Sequence, residues 1–78
     1  MNYELKNWKQ NGSLKDNEDG TSTQPIMVWT KIVGDTYGFE KADATTAIFP
    51  TASTIPQATE ACQNSAIDFV KTKYPNTK

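Results

Sequence analysis

Residues 25–42 read PIMVWTKIVGDTYGFEKA, with β-branched and aromatic side chains on both sides of Gly34-Asp35. Such a composition suits a pleated, half-buried surface, and Gly-Asp is a two-residue turn signal, so a β-hairpin is expected over 25–42. A two-residue loop pairs Val33 with Thr36, Ile32 with Tyr37, Thr30 with Phe39 and Trp29 with Glu40. One face then collects Ile26, Val28, Ile32, Tyr37 and Phe39. The other carries Met27, Trp29 and Val33, mixed with Lys31 and Glu40. In this register Trp29 lies diagonal to Gly38 and can cover its bare backbone. A three-residue loop would instead move Tyr37 and Phe39 to the Trp29 face. The first register is preferred, because it gathers one dense apolar face for a helix to cover.

That helix follows in TIPQATEACQNSAIDFVKTKYP, residues 54–75. Thr54 and Gln57 stand at capping-box spacing, and Pro56 falls in the first turn. Ala58, Ala61, Cys62, Ser65, Ala66, Phe69 and Val70 recur at intervals of three and four, which places them on one side of a 3.6-residue helix. Glu60, Asn64, Asp68 and Lys71 take the opposite side. Lys71 and Lys73 in the last turn favour the negative end of the helix dipole, and Pro75 stops the helix. The helix is expected over 54–74, with a tail at 75–78. Its small residues permit a close approach to the sheet, and Phe69 supplies bulk.

Between hairpin and helix, residues 43–53 form a connector. Within it TTAIFPT (45–51) fits a short edge strand or a single helical turn, and Pro50 bars a central strand beyond it. On the other side lies a polar N-terminal segment, 1–24, expected to hold a strand and a hairpin. NYELKNWKQ alternates loosely as a strand does, although Met1, Leu5 and Trp8 also fit helical spacing with Asn11-Gly12 as the cap. The strand is preferred. The whole is one small α+β domain: an antiparallel sheet of three to four strands with one C-terminal helix packed on one face.

The acidic stretch KDNEDGTS (15–22) raises the question of a cation site. Setting Gly20 at the sixth position of an EF-hand loop puts Lys15 first and Ile26 twelfth, where carboxylates are required. A cation and an aliphatic chain at those places defeat the site. As a turn the stretch works: Asn17-Glu18-Asp19-Gly20 suits a type I turn closed by Gly in the left-handed region, with SLKD and TSTQ as arms.

Composition removes several classes of function. The chain has 78 residues with eight Lys, nine acidic residues and a net charge of −1, and it contains neither Arg nor His. Without Arg there is no bidentate fork for phosphate or guanine, and without His the commonest general base and zinc ligand are missing. Cys62, the single cysteine, allows no internal disulfide and lies on the apolar helix face with no His to activate it. Asp35 beside Thr36 and Tyr37 reads as turn chemistry. Asp16, Asp19, Asp35, Glu40 and Asp43 have no spacing that forces two carboxylates together. The four glycines never approach a phosphate-loop or dinucleotide pattern. No catalytic residue, cofactor or metal site is therefore expected, and the protein is read as a non-enzyme. No apolar run of ~20 residues and no leader pattern is present, which with the lone thiol suggests a soluble, reducing, cytoplasmic setting.

What remains is the second sheet face, with Met27, Trp29 and Lys31. If the N-terminal segment folds over it, Trp8 meets Trp29 and both belong to the core. If not, the face is an apolar patch of the kind that marks a partner site, and Trp is favoured in such sites. The expected function is that of a small adaptor-like or inhibitor-like domain, of the size that viruses and mobile elements encode. It would dock another protein through Trp29, Met27, Lys31 and Trp8, or through an open strand edge. A structural subunit that self-assembles is the alternative, and the state expected is a monomer or weak homo-oligomer. A weak single-stranded nucleic-acid binder using Trp29, Tyr37 and Phe39 comes third; nucleic acid and membrane are not the partners expected.

Overall fold

The sequence TSTQPIMVWTKI alternates buried with half-buried side chains from Thr21 to Thr30, and this period of two makes it the central strand of the sheet. The computed structural model describes residues 2–34 and 40–75. Its elements run β1 (Tyr3–Gln10), β2 (Lys15–Asp16), β3 (Thr21–Ile32), β4 (Glu40–Pro50) and α1 (Ile55–Lys73). β4 pairs antiparallel with β3 along the full stretch from Thr21 to Lys31. β1 and β2 share the other edge, pairing with Ile26–Ile32 and with Ser22–Thr23. The result is an antiparallel four-stranded sheet carrying one C-terminal helix, an α+β fold.

Pro25 explains why the first edge is broken in two. A proline inside a central strand gives no N–H to its neighbour. Its carbonyl accepts from the Asn11 N–H at 2.8 Å, so its nitrogen faces the same neighbour, where the edge strand departs at Gly12. Gln24 closes the gap, its Nε2 donating to the carbonyls of Gly12 at 3.1 Å and Pro25 at 2.8 Å. Gly12 is tied to this place by its φ of 131°, which a residue with a Cβ rarely adopts.

The hairpin register differs from the expected one by two residues. Trp29 pairs with Ala42 and Thr30 with Lys41, not with Glu40 and Phe39. A shift of two leaves every side chain on its expected face, so periodicity could not reveal it. The observed register sets Lys31 opposite Glu40 and brings Phe49 opposite Ser22, inside the core. The expected one would have left Phe49 beyond the strand end and placed Lys41 opposite Val28. Asp35, Thr36, Tyr37, Gly38 and Phe39 lie outside the described residues, and with them the rest of the hairpin expectation. Residues 43–50, placed in the connector with 45–51 read as a short edge strand or a helical turn, belong to the edge strand β4, and β3 begins at Thr21 rather than at Pro25. Both extensions are Thr-rich and alternate, which favours the ladder.

The acidic stretch is a turn. Asn17 N–H donates to the Thr21 carbonyl at 3.0 Å, closing a loop of Glu18, Asp19 and Gly20. Gly20 has the expected positive φ of 90°, but Glu18 has φ 64° as well, which departs from type I geometry. Side chains compensate: the Asp16 carboxylate accepts from Glu18 N–H at 2.8 Å, and that of Asp19 accepts from Thr21 N–H at 3.0 Å. The Thr21 hydroxyl and N–H hold the Asp19 carboxyl below its ordinary range.

α1 forms where its pattern indicates. Thr54 Oγ1 accepts from Gln57 N–H and Gln57 Oε1 from Thr54 N–H, a complete capping box. Cys62, Ala66 and Val70 are buried along the helix, four residues apart, against Ile26, Val28, Ala47 and Phe49 of the sheet. Short side chains on the helix draw it close, and burial of Phe49 alone removes apolar area worth ~2–3 kcal/mol. At the far end Asp43 accepts from Lys73 Nζ at 2.7 Å and from the Tyr74 hydroxyl at 2.8 Å, fastening the helix end to β4. No helix among the described residues is long and apolar enough to cross a membrane.

Candidate functional site

α1 covers only the face that carries Ile26 and Val28. On the reverse face the odd-numbered residues of β3 form a row of Pro25, Met27, Trp29 and Lys31, the first three half-buried and Lys31 exposed. Their neighbours are small: Ala42 stands beside Trp29, Ala44 beside Met27 and Thr46 beside Pro25. Further along, Ile48, paired with Thr23, is 63% exposed. No described element lies over this row. Its half-burial comes from the strands on either side.

Charges frame the row rather than interrupt it. Lys31 pairs with Glu4 at 3.0 Å, and Lys6 reaches Glu40 at 2.9 Å on the strand beyond β3. Both pairs are exposed, so each contributes little to stability, but they set one end of the face neutral. Lys9 Nζ lies 5.5 Å from the centroid of the Trp29 ring, a cation–π contact. Among the described residues Lys9 has no carboxylate partner. The β4 half of the face is uncharged from Ala42 through Ile48 on its outward positions.

Trp8 is not part of this face. Tyr3 and Leu5 point toward the helix, and strict alternation would send Asn7 and Lys9 there and Trp8 outward, beside Trp29. The ladder instead slips by one residue between Leu5 and Asn7. Lys6 is the extra residue, and beyond this bulge Trp8 sits opposite Val28 and packs on the core. The expected Trp8–Trp29 contact does not form: the two indoles occupy opposite faces. Of the four residues expected to bind a partner, Trp29, Met27 and Lys31 share one face and Trp8 does not.

Sequence reading left Ala44 and Ile48 out of this face, because it ended the second hairpin arm at residue 42. The period-two pattern of TTAIF was the signal that could have placed them. Among the described residues β4 also has no partner along its outer edge, eleven residues long, free of bulges and with no charge from Ala44 to Phe49. Edges this regular pair readily with other strands. Elsewhere, no group of three or more metal-ligating side chains gathers among the described residues. Burial pushes the Cys62 thiol up, away from the reactive thiolate.

These features define a class: a small α+β domain with one sheet face packed on a helix and the other bare. Comparison with known proteins adds no particular identity, since no family model, no curated protein and no solved structure matches the chain.

Proposed function

We propose that this chain is a non-enzymatic domain that docks a partner protein on the bare sheet face, with Met27 and Trp29 at the centre. The observation that carries this reading is the one-sided cover: a Trp, a Met and a Pro in one row of the central strand, with no described element above them. Trp29 can bury a large area at little rotamer cost, and its ring is half-buried between Ala42 and Asn7 on the neighbouring strands. Lys9 beside it, with no carboxylate partner among the described residues, favours a partner whose apolar surface carries a carboxylate nearby. The lone thiol supports a reducing, intracellular setting.

The test compares the wild-type chain with Met27→Ser/Trp29→Ser in pull-downs from the native host's lysate. The double variant should keep its helix signal by circular dichroism and lose the partner. Equal capture by both would sink the reading.

A second reading, self-assembly, is favoured by the unpaired edge of β4. Antiparallel pairing of two such edges would extend the sheet across a two-fold axis. Light scattering over a concentration series decides it: a monomer at every concentration rules out the assembly.

A further inference from the structure

Across the sheet from the bare face, a cavity of about 240 Å³ opens where the start of α1 meets the end of the sheet. Trp8, Phe49 and Ala58 line it, with Leu14 and Ile55 as well. Leu14 is 56% exposed and Ile55 84%, so two of the large apolar side chains left in solvent gather at this one place. Gln24 also lines the cavity and is only 5% exposed. Its Nε2 is committed to the carbonyls of Gly12 and Pro25, and two acceptors there fix which end of the amide is nitrogen. Its Oε1 accepts no hydrogen bond among the described residues. The atom is not cut off from solvent, so a donor that enters the cavity can reach it.

The lining settles the charge of what could fill this space. It contains no Lys, Asp or Glu. The adjoining helix N-terminus is a poor anion site as well, because Gln57 Oε1 takes the Thr54 N–H, Thr54 Oγ1 takes the Gln57 N–H and Pro56 has none. We propose that this cavity binds a neutral, flat aromatic small molecule with one N–H or O–H donor, which the Gln24 Oε1 accepts while Trp8, Phe49 and Ala58 hold the ring. A dry apolar cavity of ~150 Å³ suffices for benzene, so this volume suits a two-ring compound. The site is separate from the docking face and does not depend on that reading.

Indole is the probe, and benzofuran, the same shape with oxygen in place of N–H, is its control. Titration into the full chain, followed by the amide NMR signals of Ala58, Cys62 and the Gln24 side chain, should saturate for indole with Kd on the order of 1 mM or tighter. Benzofuran should bind roughly fivefold more weakly, the value of one hydrogen bond. Ala58→Leu, which fills the cavity, should abolish binding while the chain stays folded. Ile55→Ala, at an exposed rim position that cannot disturb the core, should weaken it severalfold. Shifts that never saturate, shifts that persist unchanged in Ala58→Leu, or equal affinity for indole and benzofuran would each overturn the proposal.

Discussion

Among the described residues, Glu18 and Thr30 are held by the fold at a disadvantage. Glu18 occupies the left-handed region at φ 64°, where a side chain with a Cβ costs about 1–2 kcal/mol. Asn tolerates that region, so Glu18→Asn should raise the unfolding free energy by about 0.5–1 kcal/mol in urea titration. No change or a loss would mean that the turn does not hold this geometry in solution. Thr30 is fully buried, and its Oγ1 has no partner among the described residues. Thr30→Val keeps the shape, removes the orphaned hydroxyl and should stabilise by about 1 kcal/mol, visible as a higher melting temperature. Neither fault could be read from sequence. Asn17-Glu18-Asp19-Gly20 carries a clear turn signal, but whether one residue or two take positive φ depends on how Asp16 and Asp19 bond the loop. Thr30 looks like any strand threonine until its neighbours are known.

At the level of elements, helix α1 was the most legible, since Thr54, Gln57, Pro56 and the four-residue spacing of Cys62, Ala66 and Val70 are local signals that need no partner. The strands were legible by face but not by register. A slip of two in the β3–β4 ladder moves no side chain across the sheet, whereas the one-residue bulge at Lys6 turns Trp8 inward within a polar run that holds no Gly or Pro to mark it. The contact between α1 and β4 makes a prediction that sequence could not offer, because Asp43 and Tyr74 are 31 residues apart. Hydrogen bonding to Lys73, aided by Tyr74, holds the Asp43 carboxyl below its ordinary range. Partial burial, aided by the Asp43 carboxylate, pushes the Tyr74 phenol up to about 12. The depressed acid contributes stability that is present at neutral pH and lost as pH falls through the folded value of Asp43. The raised phenol contributes stability that is present below its ordinary value near 10 and lost as pH rises toward 12. Asp43→Asn should therefore flatten the acid limb of a melting-temperature profile, and Tyr74→Phe the alkaline limb. Limbs unchanged by both variants would show that this contact is absent in solution.

For the whole molecule, the sheet has a packed side and a bare side, and adjacent residues of one strand sample both. Ile26 is fully buried against α1, while Met27 points away from it beside Ala44 and Lys9. A chain this short has a stability of only a few kcal/mol, so the difference is measurable. Ile26→Ala removes buried methylenes and leaves a cavity that the surrounding core cannot collapse, at a cost of about 2–4 kcal/mol. Met27→Ala loses only partial burial and opens no cavity, which amounts to less than ~1 kcal/mol. Urea unfolding of the two variants, with the same slope and separate midpoints, tests the one-sided architecture directly. Because both substitutions sit one residue apart in the same ladder, backbone propensity and position in the strand nearly cancel, and what is left is the cover above each face. If Met27→Ala proves as damaging as Ile26→Ala, something does pack on the reverse face, and the docking surface centred on Trp29 is lost with it.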